Sequence, residues 1–315
     1  MSEKTMIKAD VIIIGAGPGG MTAALYASRS NLKTIIIEKG APGGELLNTA
    51  DVENYPGFTK ISGPELADNF YQSAMAFGAE HVYGDVESVT VDGLYKFVDT
   101  GNKVYQAPVV IIATGAYNRK LGVPGEEQLS GQGVSFCAVC DGFFFRNREL
   151  VVIGGGDSAV EEGTYLTQFA DKVTIIHRRD ELRAQKILQD RAFANPKVDF
   201  LWDTVVESIN GEMGVESVTV RNVKTDAVSD FSAEGVFIYV GILPNSEIVA
   251  DLNVTTPDGW IKTNDFMETE VPGLFAIGDV RLKHLRQVAT AVGDGSIAGQ
   301  RAYDYLQTLD PELLK

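Results

Sequence analysis

Two cysteines, Cys137 and Cys140, are the only thiols in this chain of 315 residues, and they stand three positions apart in Ser135-Phe-Cys-Ala-Val-Cys-Asp141. A pair at i and i+3 can close a small disulfide and reopen it, provided one thiolate is stabilised. Asp141 directly follows, and a carboxyl group there can pass a proton to or from a leaving thiolate. On spacing alone the same aspartate serves equally well as a turn or cap residue. A zinc ion needs about four ligands. Besides the thiols the chain offers only His81, His177 and His284, widely scattered, so no metal site is expected.

The second chemistry is phosphate binding, written twice. A β-branched run over residues 10–15 reads as a buried parallel strand. The turn Gly15-Ala-Gly17-Pro-Gly19-Gly20 follows it, then a helix over residues 21–28 and a second strand ending at Glu38. The pattern returns as a strand over residues 150–154, the turn Gly154-Gly-Gly156-Asp-Ser-Ala159, a helix over residues 160–169 and a strand ending at His177. The interval from Gly15 to Glu38 equals that from Gly154 to His177. Such a turn bends sharply, lets main chain approach a pyrophosphate, and points a helix N-terminus at it. The two copies end differently. Glu38 suits a ribose diol, whereas His177, Arg178, Arg179 and the nearby Arg183 form a cationic group suited to a 2′-phosphate, which a carboxylate would repel. The first copy therefore predicts a dinucleotide with a free 2′-hydroxyl and the second predicts NADPH. Solvent-facing arginines with no ligand are the plainer reading of the second cluster.

These sites need a scaffold, and the length suggests two domains. Between the two turns, residues 85–104 alternate around Asp92-Gly93 as a hairpin, and residues 109–115 form another buried strand ending at Thr114-Gly115. Glycine- and proline-rich stretches over residues 116–127 and 241–246 read as linkers. Strands are expected over residues 215–222 and 235–240, and a long helix over residues 287–309. Phe143, Phe144 and Phe145 read as core or as cover over the dithiol. The formal net charge of −16 argues against nucleic acid and anionic membrane as partners. No run of 18 apolar residues and no apolar leader occurs, which predicts a soluble, cytoplasmic protein.

The segment Thr269-Glu-Val-Pro-Gly-Leu-Phe-Ala-Ile-Gly278-Asp279 resembles the second FAD signature of flavin reductases, in which a carboxylate meets the ribityl chain. With Gly43-Gly44-Glu45, Val52-Glu-Asn54-Tyr-Pro-Gly57, Ala113-Thr-Gly115, the dithiol motif, His177-Arg-Arg-Asp180 and Arg286-Gln-Val-Ala289, the chain resembles the low-molecular-weight, bacterial-type thioredoxin reductases over nearly its whole length. The resemblance implies an α/β fold of two Rossmann-like dinucleotide-binding domains. An NADPH domain (residues 118–247) carrying the dithiol would be inserted into a discontinuous FAD domain (residues 1–117 and 248–315). It implies a homodimer and rotation between the domains. It implies that Glu38, Gly43, Gly44, Glu45, Asn54, Asp279, Arg286, Gln287 and Ala289 line FAD, and that His177, Arg178, Arg179 and Arg183 hold the 2′-phosphate. Cys140 would face the flavin, Cys137 would exchange with thioredoxin, and Asp141 would be the acid. Two positions depart from the family pattern: Val139 stands where threonine is usual, and Glu45 where glutamine is usual. A flavin reductase for another carrier and a redox-sensing flavoprotein are the competing readings. The start of the chain near its first strand argues against an additional N-terminal thioredoxin-like region.

Overall fold

The computed structural model describes residues 4–49 and 51–310. The chain divides into two units, Met1–Tyr117 with Leu243–Lys315, and Asn118–Ile242. Both are α/β.

In the first unit five parallel strands lie in the order Leu274–Ala276, Val109–Ile112, Val11–Ile14, Thr34–Glu38 and Glu80–Tyr83. Val11–Ile14 and Val109–Ile112 are buried at every position, as strands covered on both faces must be. Helix Pro18–Arg29 packs against the long helix Val288–Thr308. Gly295 and Gly299 allow the close approach: a Cβ at Gly295 would lie 2.3 Å from the Gly19 carbonyl oxygen, and one at Gly299 2.7 Å from that of Ala23. A second sheet contains the expected hairpin, Ser88–Asp92 antiparallel to Tyr95–Asp99, and joins it to Lys103–Ala107 and Thr5–Lys8.

The second unit repeats the plan. Its parallel strands run in the order Val134–Ser135, Gly235–Tyr239, Glu149–Gly154, Lys172–Ile176 and Val198–Leu201. Helices Asp157–Leu166 and Lys186–Ala194 accompany them, and an antiparallel sheet holds Thr204–Asn210, Ser217–Asn222 and Val228–Ser232.

Three sequence expectations change. Both turn helices start earlier than their apolar runs, at Pro18 and Asp157, because each glycine-rich turn ends directly in the first helical turn. The linker expected over residues 116–127 holds the crossing from Tyr117 to Asn118 but carries structure of its own: Ala116–Asn118 is a strand, and the buried Glu126 carboxylate accepts from the amides of Leu121 (2.8 Å) and Gly122 (2.6 Å). The second crossing falls at Leu243, ahead of the expected residue 248. Within the first unit the Asn245 amide donates to the Gly115 carbonyl (3.1 Å) and the Thr114 hydroxyl to the Asn245 carbonyl (2.5 Å), which ties this stretch there. Among the described residues, no helix is long and apolar enough to cross a membrane.

Candidate functional site

In the first unit the chain leaves strand Val11–Ile14 through Gly15, whose φ of +105° is open mainly to glycine. A Cβ at Gly20 would sit 2.0 Å from the Gly15 carbonyl oxygen, so the turn closes only without one. Gly17, the N-cap of helix Pro18–Arg29, faces open space instead. Glu38 braces this turn: its Oε2 accepts from the Ala16 amide (2.8 Å) and its Oε1 from the Gly40 amide (2.9 Å). A cleft of about 230 Å³ runs over the turn, walled by Gly15, Gly17, Gly20, Glu38, Gly44 and Glu45, and on its other side by Thr114, Gly115, Gly278, Asp279 and Gln287. A neighbouring pocket of about 240 Å³ adjoins Gly15, Glu38 and Thr114 and extends to Asp85 and Glu247.

Four residues named from the sequence do not wall the cleft. The Gly43 amide donates to the Ala16 carbonyl (2.8 Å), and Asn54 donates to Gln287 Oε1 (3.0 Å). Arg286 lies over the Trp260 ring at 3.7 Å and donates to the carbonyls of Asp279 and Arg281. Ala289 is half-buried on the helix, where Val288 and Ala291 form the wall. A network missed from the sequence holds the Gly278-Asp279 turn. Asp294 accepts from the Gly278 amide (3.0 Å), Arg281 (3.0 Å) and Lys283 (2.9 Å), all largely shielded from water. Nothing in the spacing of Asp294 distinguishes it from a surface helix residue.

Asp279 Oδ1 is shielded from solvent and has no hydrogen-bond partner among the described residues. Burial raises its carboxyl above the usual range, against the pull of Lys283 and Arg286. An unpartnered acceptor, a braced carboxylate and glycine faces open to the cleft fit a dinucleotide rich in hydroxyl groups and phosphates.

In the second unit Gly154 (φ +152°) begins the turn and Gly156, the N-cap of helix Asp157–Leu166, faces open space. Ala159 is buried against Gly154. A cleft of about 320 Å³ is walled by Gly154, Gly155, His177, Arg178, Arg183 and Tyr239, among others. Arg178, Arg179 and Arg183 are exposed, and among the described residues none of them is in an ion pair; Arg179 lies outside the cleft wall. The adjacent Asp180 is held instead by Lys224 at 3.1 Å, and Lys224 also pairs with Asp203 at 2.9 Å. His177 differs from its neighbours: it is 4% exposed, its ring blocks any Cβ on Gly155, and its Nε2 has no partner among the described residues. Burial first, then Arg183, Arg179 and Arg178, push its pKa below the ordinary histidine value. The arginines carry the positive charge here, and the imidazole packs beneath the turn. Free guanidinium groups in a chain of net charge −16, beside an open glycine turn, fit a phosphorylated dinucleotide.

The same unit carries the cysteines, joined as a disulfide with a Cα–Cα distance of 5.4 Å. Cys137 caps the single turn Ala138–Asp141, and its Sγ accepts from the Cys140 amide at 3.1 Å. Cys137 is half-buried and Cys140 exposed. Ser135, on strand Val134–Ser135, accepts from the Cys137 amide (3.0 Å) and donates to Asp141 Oδ2 (2.7 Å). The Ala138 amide donates to the Tyr239 hydroxyl (3.0 Å). Desolvation, then Glu162 and Asp141, push the Tyr239 phenol well up, so it stays neutral. Of the three phenylalanines, Phe145 packs edge-on against Phe237, while Phe143 and Phe144 are exposed, Phe144 at 77%.

Residues 9–295 match the family described as pyridine nucleotide-disulphide oxidoreductase. A thioredoxin reductase of Bacillus subtilis is 58% identical over 314 residues, 99% of each chain. The crystal structure of Lactococcus lactis thioredoxin reductase superposes with a TM-score of 0.95 at 52% identity, covering 96% of this chain and 100% of that one. That of T. acidophilum thioredoxin reductase gives 0.91 at 33% identity, covering 96% and 99%. The chain belongs to the pyridine nucleotide-disulphide oxidoreductases and, among them, to the thioredoxin reductases.

Proposed function

We propose that this protein reduces the disulfide of a thioredoxin with electrons from NADPH, working as a cytoplasmic homodimer. The observation that carries this reading is the Cys137–Cys140 disulfide, standing in one unit with the arginine-walled cleft. Bound FAD would supply a two-electron relay between NADPH and that disulfide.

The chain's own residues do the rest. Glu38, while bracing the turn, would keep lone pairs for a ribose diol, and Asp279 Oδ1 would accept from a hydroxyl of the cofactor. Arg178, Arg179 and Arg183 grip the 2′-phosphate by charge-assisted hydrogen bonds. Once the dithiol is reduced, the Cys137 thiolate attacks one sulfur of the thioredoxin disulfide, and the other sulfur leaves. The Cys140 thiolate then attacks Cys137 Sγ, closing the Cys137–Cys140 bond and releasing the second thioredoxin sulfur. Two electrons have passed to thioredoxin, whose two sulfurs take their protons from solvent. Asp141 exchanges a proton at the departing cysteine sulfur.

The test is a pair of variants followed in both half-reactions. Cys137→Ser should keep NADPH-driven bleaching of the flavin and lose thioredoxin reduction. Cys140→Ser should trap a mixed disulfide between Cys137 and thioredoxin. Because Cys140 is the more exposed residue of the pair, trapping through Cys140 in Cys137→Ser would reverse the two roles. Retained thioredoxin reduction in both variants would overturn the reading, and turnover with another carrier alone would replace thioredoxin as the acceptor.

A further inference from the structure

One hydroxyl group is hydrogen-bonded to both ends of the dithiol turn. Ser135 is 5% exposed and lies two residues before the first cysteine, at the end of its strand. Its oxygen accepts from the Cys137 amide at 3.0 Å and its proton goes to Asp141 Oδ2 at 2.7 Å. The alternative acceptor, the Cys137 carbonyl oxygen, is farther away at 3.3 Å. A hydroxyl has one proton, and the shorter bond, to a carboxylate, is the stronger. The turn is tied a second time where the Ala138 amide meets the Tyr239 hydroxyl.

We propose that Ser135 is a positioning residue for the proton transfer that accompanies opening and closing of the Cys137–Cys140 bond. It rests on the reading of Asp141 as the acid for this disulfide. The serine occupies Oδ2 and thereby leaves Oδ1 as the oxygen that carries the proton. When two electrons from NADPH open the S–S bond, one sulfur leaves as a thiolate, and a proton delivered through Asp141 Oδ1 converts it to a thiol. When the dithiol transfers its electrons to a substrate disulfide, the S–S bond re-forms and Oδ1 recovers the proton. Without the serine, the carboxylate rotates freely and the Cys137 amide loses its acceptor.

The holoenzymes to compare are wild type, Ser135→Ala, Ser135→Thr, Asp141→Asn and the double variant Ser135→Ala/Asp141→Asn. NADPH-driven flavin bleaching, kcat and KM for thioredoxin are measured on each. Ser135→Ala should lower kcat for thioredoxin about tenfold, with KM changed less than about twofold and bleaching unchanged. Ser135→Thr, which keeps the hydroxyl, should recover most of the loss. The double variant should be no slower than Asp141→Asn, because the serine acts through that carboxylate. Full kcat in Ser135→Ala, equal losses in bleaching and thioredoxin reduction, or additive losses in the double variant would each overturn the proposal. If Ser135→Ala does not fold, the threonine variant decides: a tenfold loss despite the retained hydroxyl overturns it. Unimpaired Asp141→Asn would instead remove the acid on which the proposal rests.

Discussion

The two glycine turns share a plan and divide their labour differently. In the first, the residue at the strand end is part of the turn's own framework: both oxygens of Glu38 hold main-chain amides, of Ala16 and Gly40. In the second, the strand ends in a buried His177, held below its ordinary pKa, that fills the space under Gly155, and the charge is displaced outward to arginines that have no ionic partner among the described residues. The acid at the first strand end therefore serves the turn's own framework, whereas the arginines at the second carry no such structural duty among the described residues. The same strand–turn–helix yields a tightly braced site in one unit and an electrostatic one in the other.

The largest expected effect lies on the electrostatic side. Arg178→Gln with Arg183→Gln should lower kcat/KM for NADPH by roughly 100-fold or more, since each charge-assisted bond is worth about 1.5–3 kcal/mol. NADH should change by less than about threefold. Equal losses for both nucleotides, read by steady-state kinetics, would break the contrast. Next come the open glycines. Gly17→Ala and Gly156→Ala meet no protein atom within 4 Å, so apoprotein melting should hold. Affinity should fall about tenfold for FAD in the first and for NADP⁺ in the second, by titration. A further effect separates the two strand ends. Glu38→Gln replaces one of two acceptor oxygens by a donor and should destabilise the apoprotein by about 1–3 kcal/mol in denaturant unfolding. Arg178→Gln should leave it unchanged.

A last contrast concerns pH and sets the buried bases of the two units side by side. In the first unit Lys96 is 1% exposed and donates to the carbonyls of Leu94 (3.0 Å) and Pro108 (2.8 Å), and burial pushes its pKa down to about 8. Unfolded lysine holds its proton up to about pH 10.4. Between those values the unfolded chain binds more protons, so stability at this position rises as pH climbs from about 8 to about 10. Relative to Lys96→Met, wild type should gain up to about 3 kcal/mol across that window. His177, also held below its ordinary value, works in a lower window: stability falls as pH drops through the ordinary histidine range, because the unfolded imidazole takes the proton first. Unfolding of Lys96→Met and His177→Asn against pH measures both, and coincident windows would remove the distinction.

The chemistry was legible where it depends on local order. Gly15, Gly17 and Gly20, Glu38, the arginines and the Cys137/Cys140 pair could be read because turn geometry and strand-end position are encoded within a few residues. Ser135 was visible only as a neighbour of the cysteines, and Tyr239 only as a strand residue. Each acquires its role through a hydrogen bond whose partner depends on how strands pair, and for Tyr239 that partner lies 101 positions away. The charge on His177 was misjudged for the same reason. A histidine beside two arginines reads as part of a cationic cluster, yet burial under Gly155 keeps it neutral.

By itself, the sequence determined the repeated strand–turn–helix, the acid-versus-arginine contrast at its two ends and the spacing of a redox dithiol, because each is a short-range pattern of steric permission and charge. Tertiary structure alone decided that Asp294 anchors the Gly278-Asp279 turn, that Arg286 lies over Trp260, and that Ser135 takes one oxygen of Asp141. Those outcomes depend on which desolvated groups find partners, and a buried polar group can be satisfied only by whatever the folded chain brings to it.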